Sequence, residues 1–204
     1  AHLSMAFGTE GIKRMEKMLA KYGRKIIGWD EILEGGLSPE ATVMSWRGTS
    51  GGISAALQKH DVIMTPGSGG LYLDHYQGDY KIEPVTIPSA PAYLSKTYNY
   101  EPVPDTIKSL GLEKHILGVQ CNNWSEYMYT NAKMEYQMYP RSLALAEIAW
   151  SPAKKKNFTD FARRVDANSV RLDERHVRYH IPLPEQPYGS CDKVVITKDT
   201  VVTF

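Results

Sequence analysis

Ile116-Leu117-Gly118-Val119-Gln120-Cys121-Asn122-Asn123-Trp124-Ser125-Glu126-Tyr127 is an apolar run that stops abruptly at amides, a tryptophan and a carboxylate. The run is too short for a helix, Gly118 inside it argues against one, and Val119 suits a strand covered on both faces. It reads as a strand whose C-terminal end opens into a site. Two earlier stretches repeat the design: Lys25-Ile26-Ile27-Gly28 leads into Trp29-Asp30-Glu31, and Ala41-Thr42-Val43-Met44-Ser45 leads into Trp46-Arg47-Gly48. A fourth run, Asp61 to Pro66, passes through a glycine-rich turn to Tyr72-Leu73-Asp74. Parallel strands with functional residues gathered at their C-terminal ends belong to β/α barrels and to doubly wound sheets.

The segments between these runs supply the crossovers. Ile12, Met15, Leu19 and Tyr22 share a helical face, with Thr9 as the expected N-cap and Gly23 as the stop. Short helices are expected from about Gly52 to Lys59 and from Asp105 to Leu110. Two more are expected on either side of Pro140 between Ala132 and Trp150, where Trp150 reads as packing, and another from an Asn157 cap to about Arg171. From Leu73 to Pro104 periodicity lapses among five prolines and several tyrosines, which reads as a long loop over the strand ends. After Arg175 the pattern alternates at Val177, Tyr179 and Ile181, then continues from Lys193 to Thr197 and from Thr200 to Phe204. The expected division is therefore a barrel portion over 1–174, followed over 175–204 by a linker and the first hairpin of a β-rich domain.

With 204 residues, 42% of them hydrophobic and 23% charged, the chain has the material for a globular core. A net charge of +1 gives no field to hold a polyanion, so no nucleic-acid partner is expected. No apolar stretch is long enough to span a membrane. Two cysteines, Cys121 and Cys191, make no disulfide framework, and Cys121 reads as a buried thiol. The first residue is Ala1 and the last, Phe204, closes a strand-like run, so both ends are expected to be cuts. Gly67-Ser68-Gly69-Gly70-Leu71-Tyr72 lacks the final glycine of a dinucleotide loop, and no Lys-Ser/Thr pair forms a phosphate loop. His176 and His180 lie four apart in an extended, proline-flanked context where they do not converge, so neither metal nor cofactor is expected. Asn123-Trp124-Ser125 and Asn157-Phe158-Thr159 match a glycosylation sequon.

Tryptophans at strand ends can stack on the C–H faces of a pyranose, each offering roughly 150–250 Å² of rigid apolar surface. Carboxylates beside them can accept from sugar hydroxyls. Any one tryptophan alone would be read as core. Three, each directly after an apolar strand and near Asp30, Arg47 or Glu126, point instead to a carbohydrate face. Tyr72 and Asp74 alternate across Leu73 and would face one side if the segment is extended.

In order, Gly28-Trp29-Asp30-Glu31, Ser45-Trp46-Arg47-Gly48, Tyr72-Leu73-Asp74 and Gln120-x-x-x-Trp124-Ser125-Glu126 resemble the second half of the catalytic barrel of family 20 glycoside hydrolases, the β-N-acetylhexosaminidases. The resemblance runs from about Thr9 to Val165. It implies the C-terminal half of a (β/α)8 barrel, with four parallel strands and outer helices, and a pocket for a terminal N-acetylhexosamine of a glycan. Trp29 and Trp46 would line the slot around the acetamido methyl, and Trp124 would stack on the ring. Asp74 and Glu126 would accept from outer hydroxyls, and the Tyr72 hydroxyl would donate to the acetamido carbonyl. The family's mechanism is substrate-assisted, through a cyclic oxazolinium with net retention.

The chain departs from the family in one respect. The general acid and the aspartate that orients the acetamide form an Asp-Glu pair after His-x-Gly-Gly, and no such sequence occurs here. Asp30-Glu31 follows a different strand and reads as structural, at the strand-to-helix turn. The expected identity is a hexosaminidase fragment, inactive alone, whose partner is the N-terminal half of the barrel. The rival reading is a non-catalytic sugar-binding or scaffold module, and an unrelated doubly wound nucleotide-binding protein would need the phosphate loop that is absent. Family members are commonly secreted, periplasmic or lysosomal, so a secreted or periplasmic location is the expectation.

Overall fold

Parallel strands must all start from the same edge of a sheet, so each connection has to cross back over its face, usually as a helix. The computed structural model describes residues 2–37 and 40–182 and shows this pattern. Its elements are α1 (His2–Ala20), β1 (Ile27–Trp29), a 3-10 turn (Asp30–Gly35), β2 (Thr42–Ser45), α2 (Ser50–Leu57), β3 (Val62–Met64) and a short 3-10 turn (Gly67–Gly69). There follow α3 (Leu94–Asn99), α4 (Asp105–Ser109), a 3-10 turn (Glu113–His115), β4 (Ile116–Val119), α5 (Asn131–Met138), α6 (Arg141–Trp150), a 3-10 turn (Ala153–Lys155) and α7 (Phe158–Glu174). They fall into two units, one built from residues up to Ser68 with Glu101–Gln120, the other from Gly69–Tyr100 with the described residues from Cys121 onward.

The first unit holds the sheet, ordered β1-β2-β3-β4 and parallel throughout. Trp29 pairs with Met44 and Ser45 with Met64, so the strand ends lie in step. All four strands stop close to the expected positions at Asp30, Trp46, Pro66 and Asn122. Between β3 and β4 the register skips a residue, Val62 opposing Ile116 and Ile63 opposing Gly118. Gly118 takes a φ of 153°, a conformation other residues rarely adopt, which is why a glycine sits at this irregularity.

Helix α2 covers β2 and β3 through Gly52, Ala55 and Ala56, all buried. A Cβ on Gly52 would lie 2.6 Å from the Met64 sulfur and 3.2 Å from the Ser45 Cβ, so the close approach of helix to sheet requires glycine there. Ser45 closes the turn after β2: its hydroxyl donates to the Gly48 carbonyl (2.6 Å) and accepts from the Gly52 N–H (2.8 Å).

Coverage on both faces, expected for the Val119 strand, is found in the middle strands instead. Val43, Val62 and Met64 are fully buried, whereas Leu117 on β4 is 59% exposed and Ile27 on β1 55% exposed. Among the described residues β1 and β4 each pair on one side only, and an edge strand has fewer neighbours to cover its side chains. Helix α1 also differs from expectation. It begins at His2, so Thr9 lies inside it, and of the residues expected on its apolar face Met15 is exposed and Tyr22, exposed too, falls in the turn after Ala20. The stop at Gly23 is as read, with φ +64° and its N–H donating to the Ala20 carbonyl.

In the second unit Leu94, Tyr98, Ala144, Phe161 and Val165 form the core, joined by Leu143 and Phe158. Tyr98 stacks on Phe161 at 4.6 Å, and its hydroxyl accepts the Asn157 N–H. Asn157 caps α7 by accepting from the Asp160 N–H, as expected of it. The segment from Leu73 to Pro104 is thus no structureless loop: it carries α3, which packs on α6, and it buries Thr86, Ala92, Leu94 and Tyr98. Sequence periodicity misses a single buried turn and a half of helix between prolines.

Trp150 is 89% exposed and is not packing. Helix α6 buries Arg141, Ala144 and Ile148, spaced three and four apart, and Trp150 lies two positions past Ile148, on the far side of the helix. From Arg175 to Pro182 the backbone forms no strand, despite the alternation at Val177, Tyr179 and Ile181. The Arg178 N–H donates to Glu135 and the His180 N–H to the Tyr139 carbonyl, which ties this segment to the end of α5. The expected hairpin over 193–204 lies outside the described residues.

Two substitutions check this packing. Gly52→Ala forces a methyl group into Met64 and Ser45 and should cost about 1–3 kcal/mol in urea unfolding. Trp150→Ala deletes an exposed ring and should change stability by no more than about 0.5 kcal/mol.

Candidate functional site

Trp29 and Trp46 follow neighbouring strands of the first unit, and their rings meet edge to face, with centroids 6.4 Å apart and planes at 71°. The carboxylate pair after Trp29 orients what lies around them. Asp30 is buried and accepts from the Arg47 Nε (2.7 Å) and backbone N–H (3.3 Å), while Arg47 also reaches Glu34 (3.0 Å). The Glu31 carboxylate accepts the Trp46 indole N–H at 2.9 Å, fixing the azimuth of that ring. This is the structural office read for Asp30-Glu31. The orienting role of Glu31 was not foreseen, because nothing in a Trp-Asp-Glu triplet says which carboxylate will meet an indole fifteen residues on.

In the second unit Tyr72 forms a parallel bridge to Asn122: the Leu73 N–H donates to the Asn122 carbonyl (2.7 Å) and the Asn122 N–H to the Leu71 carbonyl (2.8 Å). The glycine-rich turn before it serves this placement. Gly70 has φ +75°, accepts from the Thr97 hydroxyl (2.6 Å), and a Cβ there would lie 3.1 Å from the Thr97 backbone nitrogen. After Tyr72 the chain turns instead of running extended, so the simple alternation expected of Tyr72 and Asp74 does not hold. Tyr72 is half-buried, edge-on to the His75 ring at 5.4 Å, while Leu73 and Asp74 are buried. Trp124 is 37% exposed and Glu126 is exposed, both on the turn that follows the Asn122 bridge.

Asp74 is the anomaly of this unit. It is 3% exposed, and no other residue donates a hydrogen bond to either carboxylate oxygen. Its backbone carbonyl, by contrast, accepts from the Thr86 hydroxyl and from Gln137 Nε2 (3.2 Å), with Gln137 also donating to Thr86 (2.9 Å). Burial raises the Asp74 pKa to about 6, with the Glu126 carboxylate pushing the same way, while the residue's own backbone N–H and then the Arg141 guanidinium oppose it. Burial also holds the His75 imidazole neutral, lowering its pKa to about 4, and raises the thiol of Cys121, which is half-buried and not fully buried as expected, to about 12. A buried carboxylate without donors is costly unless something else supplies them.

Thr86, Gln137 and Arg141 are the residues sequence reasoning missed. The one available signal was Arg141 itself, a cation next to Pro140 at the head of an otherwise apolar helix. Among the described residues no group of three His, Cys, Asp or Glu side chains could hold a metal ion, and no helix is long and apolar enough to cross a membrane.

The model of glycosyl hydrolase family 20, catalytic domain, matches residues 6–153. A beta-hexosaminidase of Porphyromonas gingivalis is 58% identical over 195 residues, covering 95% of this chain and 25% of that protein. One from Vibrio furnissii is 34% identical over 136 residues, covering 66% and 22%. The crystal structure of the GH20 exo beta-N-acetylglucosaminidase from Vibrio harveyi in complex with N-acetylglucosamine matches with a TM-score of 0.79 at 30% identity, over 85% of this chain and 27% of that one. The chain thus spans about a quarter of the length of the curated relatives it matches. Its four parallel strands and their helices are the second half of a (β/α)8 barrel.

The Asp74 environment predicts a pH-dependent stability. With a folded pKa near 6 and an unfolded pKa near 3.9, the folded state holds the proton more tightly; the stability this gives is complete below about pH 4 and lost as pH rises through 6. Asp74→Asn should therefore raise the unfolding free energy by on the order of 2–3 kcal/mol above pH 6 and leave it unchanged below pH 4. Thermal melts of the two proteins across pH 4–8 measure this difference directly.

Proposed function

Since the chain belongs to glycosyl hydrolase family 20, we propose that it is the second half of the catalytic barrel of a β-N-acetylhexosaminidase that releases terminal non-reducing N-acetylhexosamine from glycans. The observation that carries this reading is the buried Asp74 carboxylate, to which no other residue donates, two residues from Tyr72. A hexosamine brings the hydroxyls that such a carboxylate lacks. In this reading Asp74 and Glu126 accept from the outer hydroxyls and Trp124 stacks on the ring. The Tyr72 hydroxyl donates to the acetamido carbonyl as that oxygen attacks the anomeric carbon, so the bond strengthens as charge shifts. The oxazolinium formed in this way is opened by water with net retention.

These residues bind and orient; none is placed to protonate the leaving glycosidic oxygen. Asp30 is occupied by Arg47 and Glu31 by Trp46, which supports keeping both out of the acid's role. We therefore assign the acid pair to the N-terminal half of the barrel and take this chain to be silent alone. Loss of a general acid removes on the order of 10²–10⁴ in rate.

Two assays test this. The 204-residue chain should not turn over an aryl N-acetyl-β-glucosaminide above background, and adding the N-terminal half should bring turnover. A full-length protein that binds the sugar without cleaving it would favour the non-catalytic module instead, and robust hydrolysis by the chain alone would refute the assignment of the acid. In the full-length protein Trp124→Ala should raise KM more than it lowers kcat, while Tyr72→Phe should act mainly on kcat, by about 10–100-fold for one hydrogen bond to a charge-gaining oxygen. A Trp124→Ala protein with lowered melting temperature and intact kinetic constants would make that ring a packing residue.

A further inference from the structure

Arg141 is fully buried, the largest such side chain among the described residues, and nothing in the reading above gives it a task. We propose that Arg141 is a positioning residue for the proposed sugar site, holding the Tyr72-Leu73-Asp74 segment in place through the backbone carbonyl of Leu73. The inference rests on the hexosaminidase reading for its consequence in catalysis, and on geometry alone for its consequence in structure.

The geometry is specific. Past the single bridge at Tyr72 the segment has no sheet partner, so its backbone must be held by other groups. Arg141 Nη2 donates to the Leu73 carbonyl and to the Gln137 carbonyl (2.9 Å), and Nη1 donates to the Ala92 carbonyl (3.0 Å). One planar guanidinium thus ties together the segment bearing Tyr72 and Asp74, the stretch leading into α3, and the last turn of α5. At the next residue, the Asp74 carbonyl is held by Thr86 and Gln137. Two successive carbonyls are fixed by side chains, one of them by a cation that only a planar fork can supply in this number of bonds.

Burying a cation among carbonyls and mostly neutral groups is expensive, and burial lowers the Arg141 pKa to about 10. A methionine or leucine would fill the space at less cost if packing were the only requirement. What an apolar residue cannot do is set the carbonyl of the residue between Tyr72 and Asp74. A misplacement of about 1 Å at such a segment can cost on the order of 10²-fold in rate.

The test uses the full-length protein, with Arg141→Met to remove the fork and Thr86→Val to remove only the neighbouring hydroxyl. Hydrogen exchange of the peptide from Leu71 to His75, compared with peptides of α7, reads the position of the segment. Kinetics on an aryl N-acetyl-β-glucosaminide across pH 4–8 read its consequence. Both variants should exchange faster at Leu71–His75 with α7 unchanged. Arg141→Met should lower kcat/KM by about 10–100-fold and Thr86→Val by less. Glu126 and Arg141 are the charged side chains acting on Asp74, so Arg141→Met should also move the Asp74 limb of the pH profile upward, a change that mere loss of stability does not produce. If the folded variants show unchanged local exchange and unchanged kinetic constants, the proposal is wrong. Should Arg141→Met not accumulate, Arg141→Lys, which keeps the charge and loses the fork, decides by the same local exchange and kinetics. A wild-type protein that fails to cleave the substrate overturns the functional reading, and the exchange data still decide the positioning.

Discussion

Parallel pairing is the constraint on which the rest depends. Once β1 to β4 run the same way in step, every chain exit lies at one edge of the sheet, and whatever follows each strand is delivered there. The register makes this concrete. Trp29 pairs with Met44, so Trp46 emerges two residues beyond its neighbour's end, close enough for the two indoles to meet edge to face at 6.4 Å. Asp30, Glu31 and Arg47 then lock the two turns together. The tryptophan corner is a consequence of register plus one carboxylate pair.

The second unit is organised by a different economy, that of buried polar groups. Arg141 is surrounded by carbonyl acceptors and Thr86 and Gln137 are bonded to the same backbone, while no other residue donates to the Asp74 carboxylate. Three bonds hold the Arg141 fork while its Nε and the Asp74 carboxylate go without a partner side chain, an imbalance that supports the ligand site proposed above. The raised pKa of Asp74 follows from the same imbalance, and so does the stability that the site gives up near neutral pH. Stability and binding pull in opposite directions at this one side chain.

Much of this was legible in the residues. Strand ends show themselves as apolar runs that stop at Trp29, Trp46 and Trp124, and helix stops as Gly23 and Gly111, because hydrophobic period and positive φ are local properties. Four short motifs in the right order were enough to point to the family. What stayed hidden depends on contacts between residues far apart in the chain. The exposure of Trp150 is set by which side of α6 faces the core, and helix α3 is stabilised by burial of Leu94 and Tyr98 against α6 and α7, whose residues lie more than forty positions on. The missing partners of Asp74 are likewise invisible in a sequence that contains many donors. Composition tells that a carboxylate is present, and only coordinates tell that it is unmet.

The central claim is that Asp74 is a carboxylate built to receive sugar hydroxyls. A crystal structure of the full-length protein with N-acetylglucosamine bound measures this most directly. The account predicts one or two sugar hydroxyls within about 3 Å of the Asp74 oxygens, with the ring against Trp124. A sugar bound elsewhere, with Asp74 still without donors or paired to another protein group, would contradict it.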